Sequence, residues 1–542
     1  MSGTIKIPTP VNEPVLSYAP GSPERAALKT TLSDMTGSAI EIPVIIAGKE
    51  IRTGRTKQAV MPHRHGHVLA TWHRAGKEET RQAIAAAREA HREWSAWRWE
   101  DRAAVFLRAA ELLATTWRQR LNGATMLGQS KTPHQAEIDA ACEIIDFWRF
   151  NVGFAERLHQ EQPLSEPGVW NRTEYRPLEG FVFAVTPFNF TSIGANLPTA
   201  PAIVGNTVVW KPASTAVYSS YFIFRLLEAA GLPPGVINFL PGDAAAISEV
   251  VLDDPALAGI HFTGSTGVFQ SMWKTVGANV ERYKVYPRLV GETGGKDFIV
   301  AHRSADRAAL ASAIVRGAFE YQGQKCSAAS RLYVPDSIWR DIKDDVVGQI
   351  NDIPMGDIAD FRNFMGAVID RAAYDSIVAY VDEARASKDA EILAGGEADA
   401  SVGYFIRPTL IHAKRPDYRS MCEEIFGPVL SVYVYPERQW DETLRVVDET
   451  SPYALTGAVF AEDRRALRQA ADALRFAAGN FYLNDKPTGA VVGQQPFGGA
   501  RASGTNDKAG SMLNLVRWVS ARSIKETFVP ATDYRYPSMD AQ

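Results

Sequence analysis

The chain has 542 residues, with 58 Lys and Arg against 62 Asp and Glu, a net charge of −4, and 46% of its residues are hydrophobic. This composition is typical of a soluble globular protein whose charge is too balanced to indicate a nucleic-acid partner. No apolar run approaches the ~20 residues that a membrane span requires. The first fifteen residues lack the pattern of a secretion or transit signal, so a cytoplasmic location is predicted.

Cysteine and histidine spacing gives little sign of a disulfide or a metal site. The three cysteines contain no CxxC pair, which argues against a disulfide framework and a tetrahedral zinc site. Three histidines alternate within 61–67, but no acidic or cysteine ligand accompanies them, so no metal is predicted. The cysteines are Cys142, Cys326 and Cys422.

The first 180 residues are predicted to be an arm followed by helices. Scattered Pro, Ser and Gly over the first ~45 residues favour an arm that wraps a domain surface. Apolar residues at helical spacing then predict three helices, over 78–94, 100–120 and 135 to about 157.

From residue 181 the pattern changes to short β-rich runs that alternate with helical segments. The runs 181–185, 207–210, 236–240 and 260–262 predict right-handed βαβ units and a parallel sheet covered on both faces. The alternation resumes after 290 and continues to about 490, so we predict a second α/β unit, with the boundary near 289–296. Alternation over 521–529 predicts a peripheral strand whose open edge suits pairing with a partner subunit.

Four single residues are candidates for chemistry, and each has an ordinary structural alternative. Cys326 is a nucleophile or a buried thiol, and nearby backbone N–H groups would favour its thiolate. Glu292, between glycines, is a general base or a hinge residue. Asn189 follows a strand and is an oxyanion donor or a turn residue. Lys211 ends a strand at the sheet edge where such folds bind ligands, or it is a solvated lysine.

A strand, a glycine turn and a helix over 262–269 could receive a phosphate at the helix N-terminus, although the segment is not a GxGxxG motif. This segment contains one of seven motifs that occur in the order and spacing of the aldehyde dehydrogenase superfamily. They are PFNF, VVWKP, FTGST, GETGGK, GQKCSAASR, EEIFGP and PFGGARASG. The chain resembles the L-glutamate γ-semialdehyde dehydrogenase branch, also called 1-pyrroline-5-carboxylate dehydrogenase. ETGGK in place of ELGGK, and Phe269 where the general pattern has glycine, both fit that branch.

The resemblance implies an α/β fold with two doubly wound domains and a small β oligomerisation element. Residues 1–168 and 181–290 would bind NAD, 291–510 would form the catalytic domain, and 169–180 with 511–542 would supply a hairpin and C-terminal strand for at least a dimer. Cys326 would attack the aldehyde, Asn189 would stabilise the oxyanion, and Glu292 would activate water.

The resemblance also implies two sets of ligand-binding residues for a small-molecule substrate and NAD. The cofactor residues would be Thr186, Phe188, Lys211, Gly264, Ser265, Thr266, Gly267, Val268, Glu424 and Phe426. The substrate residues would be Ser327, Gly489, Ala490, Phe190, Phe497 and Glu143, with the loop 486–490 holding the α-carboxylate. Three alternatives stay open: a dehydrogenase for another small aldehyde, a non-catalytic protein of this fold, and a Cys/His hydrolase, which is disfavoured because only His261 lies in a motif.

Overall fold

The computed structural model describes residues 5–540, and two seven-stranded sheets dominate it. The strands of the first sheet, in spatial order, are Arg288–Glu292, Leu257–Thr263, Phe181–Val185, Thr207–Lys211, Ile237–Phe239, Val44–Ile46 and Lys49–Ile51. Those of the second are Ala390–Ala394, Thr409–Ala413, Val429–Tyr435, Ala329–Pro335, Asp297–Ala301, Thr456–Phe460 and Asn480–Leu483. We call them the first sheet and the second sheet.

Both sheets are mostly parallel and covered on both faces. Only the last two strands of the first sheet and the first-named strand of the second run antiparallel to their neighbours. Successive residues of a strand point to opposite faces, so Val182 and Val208 enter one core cluster while Phe183 and Val209 enter another. Such doubly buried strands need near-continuous apolar runs, which explains why the sequence revealed them.

Helices cover these faces and connect the strands. They are Pro23–Thr36, Lys77–Trp94, Trp99–Ala114, Arg118–Gln129, Pro133–Ala136, Ile144–Gln160, Thr191–Ile203, Val217–Ala229, Ala244–Asp253, Thr266–Ala278, Arg307–Phe319, Asp336–Asp352, Arg371–Ala386, Arg419–Cys422, Trp440–Glu449, Arg464–Ala473 and Met512–Leu515. A π-helical turn, Glu137–Glu143, joins the fifth helix to the sixth.

The smaller sheets lie outside this framework. Three strands, Ile40–Ile42, Arg64–His73 and Thr56–Met61, form one of them. Val169–Pro177 and Val519–Thr527 pair antiparallel along their whole length, so the C-terminal strand that the sequence predicted exists and pairs within its own chain. Two short pairs complete the set, Ala398–Asp399 with Phe405–Ile406 and Tyr453–Ala454 with Ala500–Arg501.

The structure corrects two predicted elements in the N-terminal part. The predicted arm contains the helix Pro23–Thr36, which Ser22 caps by accepting from Arg25 N, so only residues 5–22 lie as an irregular arm. The predicted helix 100–120 is two helices, because the backbone leaves the helical region at Thr115 (φ −118°, ψ −93°), where the hydroxyl donates to Glu111 O.

Candidate active site

A cavity between the two sheets brings together most of the predicted substrate and catalytic residues. Cys326 and Glu292 both line it. All six predicted substrate residues also line it, namely Ser327, Gly489, Ala490, Phe190, Phe497 and Glu143. They come from strand ends, from the π-helical turn and from the irregular segment 484–499, so no single element of the sequence defines the site.

Cys326 is buried in the segment that leads from the helix Arg307–Phe319 into the strand Ala329–Pro335. Gly323 (φ +64°) allows this approach, because a Cβ there would lie 2.2 Å from Gly427 O. Burial, and then the carboxylates Asp297 and Glu292, raise the pKa of the Cys326 thiol well above its usual range. This direction opposes the thiolate that the nearby backbone N–H groups would favour, because burial and the two carboxylates disfavour a further negative charge.

Glu292 is the last residue of the strand Arg288–Glu292 in the first sheet. Residues 293–296 link it to the strand Asp297–Ala301 of the second sheet. The Glu292 carboxylate accepts from Gly499 N, with Oε2 at 3.2 Å and Oε1 at 3.4 Å. Burial raises the pKa of Glu292 well above its usual range, although Lys508 opposes this shift. A carboxylate with a raised pKa beside a thiol has the properties of a general base.

Asn189 and Phe190 lie between the strand Phe181–Val185 and the helix Thr191–Ile203. Asn189 is 3% exposed, and among the described residues it is not part of the cavity lining, whereas Phe190 is. The Lys131 ammonium lies 4.3 Å from the centre of the Phe190 ring and fixes one wall of the cavity.

On the substrate side, Ser327 reaches the loop 486–490. Its hydroxyl is 2.8 Å from Thr488 Oγ1, and both side chains are buried. Lys486 Nζ donates to Thr488 O at 2.9 Å beneath Gly489, whose φ of +97° turns the backbone at this point. The loop is therefore fixed by side chains next to the nucleophile.

Glu143 ends the π-helical turn and accepts from Ser192 Oγ at 3.0 Å. Burial, with Asp139 adding to it, raises the pKa of Glu143 to about 8. Asp139 accepts from Lys131 Nζ at 2.7 Å and from Thr191 N and Ser192 N, at the start of a helix. One π turn thus presents a neutral Glu143 and a paired Asp139 to the same cavity.

On the cofactor side, Thr186 and Lys211 meet where two adjacent parallel strands end. Thr186 N donates to Lys211 O at 3.2 Å, and Thr186 Oγ1 accepts from Trp210 Nε1 at 3.0 Å. Burial lowers the pKa of Lys211 to about 8, against the opposing charge of Asp243. Lys211 is buried, which favours a role in ligand binding over the alternative of a solvated lysine.

The helix Thr266–Ala278 begins directly beyond the strand Leu257–Thr263. Gly264 N donates to Glu292 O at 3.2 Å, and Ser265 is the N-cap residue. Apart from its own helix backbone and chain neighbours, no described heavy atom lies within 4 Å of a Cβ built on Gly267, and Val268 is exposed, so the first helical turn is open. Within the described chain the buried Thr266 Oγ1 has no hydrogen-bond partner.

Glu424, Phe426 and Phe188 form the remaining predicted cofactor group. Glu424 Oε1 accepts from Gly295 N at 2.7 Å, and burial raises the pKa of Glu424. A Cβ on Gly295 would lie 2.2 Å from Cys326 O, so Glu424 is close to the nucleophile. The Phe426 and Phe188 rings meet edge to face at 5.8 Å.

Thr488, Lys131 and Asp139 belong to this site but were not predicted from the sequence. Thr488 belongs to the loop 486–490, and its hydroxyl contacts the Ser327 hydroxyl. A hydroxyl side chain in a predicted carboxylate-binding loop was the feature that could have indicated it. Lys131 and Asp139 form a fully buried ion pair beside Phe190, and neither was assigned a role from the sequence. The surrounding stretch 131–139, KTPHQAEID, mixes polar and apolar residues, so the pair does not stand out in the sequence.

The histidines within 61–67 do not converge. His63 Nδ1 contacts Ser130 Oγ, while His65 and His67 contact Ala400 O and Thr36 O. Across residues 5–540 no three His, Cys, Asp or Glu side chains are grouped to hold a metal ion. His261 lines the same cavity as Cys326, its ring contacts Leu197 O through Nδ1 at 2.9 Å, and burial lowers its pKa to about 4.

Residues 51–521 match the model of the aldehyde dehydrogenase family. The chain belongs to this family. It is 53% identical to the mitochondrial delta-1-pyrroline-5-carboxylate dehydrogenase of Dictyostelium discoideum over 98% of this chain and 96% of that protein. It is 50% identical to the mitochondrial delta-1-pyrroline-5-carboxylate dehydrogenase of Homo sapiens, over 97% and 94%.

Among solved structures, this aldehyde dehydrogenase resembles the delta-pyrroline-5-carboxylate dehydrogenase of Mycobacterium tuberculosis bound with NAD. The two chains are 55% identical, the match covers 100% of each, and the TM-score is 0.97. The α/β fold that the resemblance implied is confirmed.

The two departures from the general family pattern have structural reasons in this aldehyde dehydrogenase. The Thr293 hydroxyl donates to Ala502 O, and its backbone N donates to Ser503 O at 2.8 Å. Thr293 therefore fixes the linker 293–296 to residues 502 and 503. The Phe269 ring stacks on Phe262 at 5.3 Å and fills the space above Gly291, where a Cβ would lie 2.3 Å from it. Neither change blocks the open helix start.

Proposed function

We propose that this protein oxidises L-glutamate γ-semialdehyde, the open form of 1-pyrroline-5-carboxylate, to L-glutamate with NAD, as the second step of proline degradation. The observation that carries the proposal is that Cys326 and Glu292 share a cavity with a loop that Ser327 contacts through Thr488. Relatives that are 50–55% identical over nearly the whole chain bear the name of this activity.

The covalent step belongs to Cys326. Its thiol releases its proton to solvent water, and the sulfur attacks the aldehyde carbon, so that the C=O π electrons move to the oxygen and a thiohemiacetal oxyanion forms. Asn189 and the Cys326 backbone N–H then donate to the new oxyanion. NAD, when bound, supplies the chemistry of accepting the hydride that leaves this adduct, so that a thioester remains on Cys326.

Glu292 completes the cycle. With its raised pKa, the carboxylate takes a proton from water as the water attacks the thioester carbon, and the thiol leaves with a proton. Gly499 N, which donates to the carboxylate, holds it in place. Glutamate is released and Cys326 is restored.

The residues present fit NAD. The open first turn of the helix Thr266–Ala278 offers backbone N–H groups to a pyrophosphate, and the unpartnered Thr266 Oγ1 adds a hydroxyl. In the proposal Lys211 and Thr186 hold the adenosine ribose end, Glu424 the nicotinamide ribose, and Phe188 and Phe426 pack beside it.

The substrate side fits a carboxylate. Ser327 and the turned backbone at Gly489 and Ala490 offer fixed donors, and Lys486 adds positive charge beneath them. Phe190 and Phe497 wall the aliphatic part of the substrate, and the neutral Glu143 faces the same cavity.

The domain division 1–168 with 181–290, 291–510, and 169–180 with 511–542 is also part of the proposal. The change of sheet between Glu292 and Asp297 supports its central boundary. Self-association is proposed because the strand pair of Val169–Pro177 and Val519–Thr527 exposes Trp170, and the residues after it expose Phe528 and Val529. No described helix has the length and apolarity needed to cross a bilayer. A cytoplasmic location stays a prediction, which fractionation of the source cells would test.

The test is steady-state NADH formation from 1-pyrroline-5-carboxylate, with NADP and butanal as comparisons. We expect kcat/KM to be largest for 1-pyrroline-5-carboxylate with NAD, and glutamate to form in equal amount with NADH. A higher kcat/KM for butanal would favour the alternative of a dehydrogenase for another small aldehyde. Absence of NADH from every aldehyde would favour the non-catalytic alternative.

A further inference from the structure

The N-terminal arm, residues 5–22, touches both the helix that carries the π turn and the irregular segment that follows the loop 486–490. Its contacts are long-range in the sequence, with partners more than 100 residues away. Nothing in the proposed mechanism uses this arm.

Asn12 makes the contact between these two parts. Its amide Nδ2 donates to Asp146 Oδ2 and to Val492 O, both at 2.8 Å. Its amide Oδ1 accepts from Gln494 Nε2 at 2.9 Å. Asn12 therefore satisfies both of its donors and its acceptor, and two of the three bonds go to the segment 492–494.

The arm itself is fixed on both sides of Asn12. Glu13 N donates to Asp146 Oδ1 at 2.7 Å, and the Glu13 carboxylate accepts from Arg118 and Arg149. Further along, Leu16 N donates to Glu137 Oε1 at 2.9 Å, so the arm is attached to the π-helical turn as well.

Apart from the arm, the segment 491–495 is held by its own turn, in which Gln494 N and Gln495 N donate to Val491 O, and by the burial of Val492. It is an irregular turn, in which Val491 N donates to Gln495 Oε1 and Gly493 (φ +81°) lies against the Phe150 ring. Because it directly follows Gly489 and Ala490, a shift of Val492 moves the backbone donors of the loop. Val492 itself lines the cavity.

We infer that Asn12 is a positioning residue for substrate selectivity, which holds the carboxylate-binding loop in register with the helix that bears Glu143. The inference rests on the proposed function, because it assigns the loop 486–490 to the substrate's carboxylate. Asn12 touches neither substrate nor cofactor; it acts through Val492 and Gln494.

The experiment compares wild type with Asn12→Ala and Asn12→Asp, using 1-pyrroline-5-carboxylate and butanal as substrates. Asn12→Asp keeps the acceptor for Gln494 but places a carboxylate against Asp146 and Val492 O. We expect kcat/KM for 1-pyrroline-5-carboxylate to fall about 5- to 30-fold in Asn12→Ala and further in Asn12→Asp, mainly through KM. For butanal, which has no carboxylate to place, we expect less than about a two-fold change.

Tyr18→Phe is the matched control. It removes the hydroxyl that donates to Glu137 Oε2 at 2.8 Å, so it loosens the arm at the π turn without touching the segment 492–494. We expect any effect of this variant to be equal on the two substrates.

Gln494→Ala is the second test, because Gln494 is an exposed residue whose loss leaves the core intact. It should lower selectivity in the same direction as Asn12→Ala, and the double variant should be no worse than about the worse single variant. Equal losses on both substrates, or none, in the Asn12 variants would overturn the inference. If the wild type itself fails to prefer 1-pyrroline-5-carboxylate, the proposed function fails instead.

Discussion

The cofactor side and the substrate side of the cavity are built in different ways. On the cofactor side, Thr186, Lys211 and the start of the helix Thr266–Ala278 follow the ends of parallel strands in the first sheet. On the substrate side, Ser327 and the loop 486–490 lie outside regular strands and are placed by side-chain hydrogen bonds.

The difference teaches where each kind of specificity resides. A sheet edge supplies a rigid, repeated geometry for a cofactor that many relatives share. A loop held by a few side chains is a local feature that can differ between related enzymes without disturbing the sheets. We therefore expect variants on one side to change the binding of one ligand and leave the other nearly untouched.

The largest expected effect comes from replacing Cys326, because the substrate bound on one side and the cofactor bound on the other both react at this residue. Cys326→Ala removes the only sulfur in the cavity among the described residues, so NADH formation should fall to background while NAD still binds. Cys422→Ala, at a half-buried thiol outside the cavity, is the control and should keep activity. NAD-binding titrations with NADH assays check both; NADH from Cys326→Ala would remove the covalent mechanism.

On the substrate side, Ser327→Ala should reduce kcat/KM for 1-pyrroline-5-carboxylate roughly 10- to 150-fold. One charge-assisted hydrogen bond is worth about 1.5–3 kcal/mol, at about 1.4 kcal/mol per tenfold. The KM for NAD should not change, and butanal should lose far less. If Ser327 only packs beside Cys326, kinetics on the two aldehydes will show equal losses.

On the cofactor side, Lys211→Met should raise the KM for NAD roughly 5- to 30-fold, for about 1–2 kcal/mol of lost interaction. The KM for 1-pyrroline-5-carboxylate should stay within about two-fold. Lys274→Met, on the exposed face of the helix Thr266–Ala278, is the matched control. A change in both Michaelis constants would break the separation between the two sides.

The smallest effect concerns stability and pH at Glu143. Its pKa in the folded protein is about 8, above the ordinary value, so the folded state binds the extra proton and stability is lost as pH rises from about 4.5 to 8. Glu143→Gln keeps the neutral shape and removes that loss. We expect the Tm of the variant minus that of wild type to grow by a few degrees over this range. A pH-independent difference would show that Glu143 is already ionised in the folded protein.

The sheet strands could be predicted because their sequences leave little choice. Residues 181–185, FVFAV, form the strand Phe181–Val185 as predicted, and the predicted run 207–210 is extended by Lys211. Runs of β-branched and aromatic residues that are buried on both faces carry this signal. The π turn Glu137–Glu143 could not be predicted, since a single wider turn inside a longer helix is rare and has no residue signature of its own.

The site was less accessible from the residues alone. Cys326 and Glu292 each had an equally ordinary structural reading, and only the family resemblance made their roles specific. The helix Pro23–Thr36 was missed although Ser22 and Pro23 are typical start residues, because its apolar face is weak. Asn12 and Val492 are 480 residues apart, and no local pattern indicates their contact.

The most direct test of the central claim is the time course of NADH formation by Glu292→Gln, mixed rapidly with 1-pyrroline-5-carboxylate and NAD. If Cys326 forms a thioester that Glu292 helps to hydrolyse, the variant will give a burst of about one NADH per active site. Steady turnover will then be about 10²- to 10⁴-fold slower than in wild type. Loss of the burst in proportion to the steady rate would contradict the assignment of water activation to Glu292.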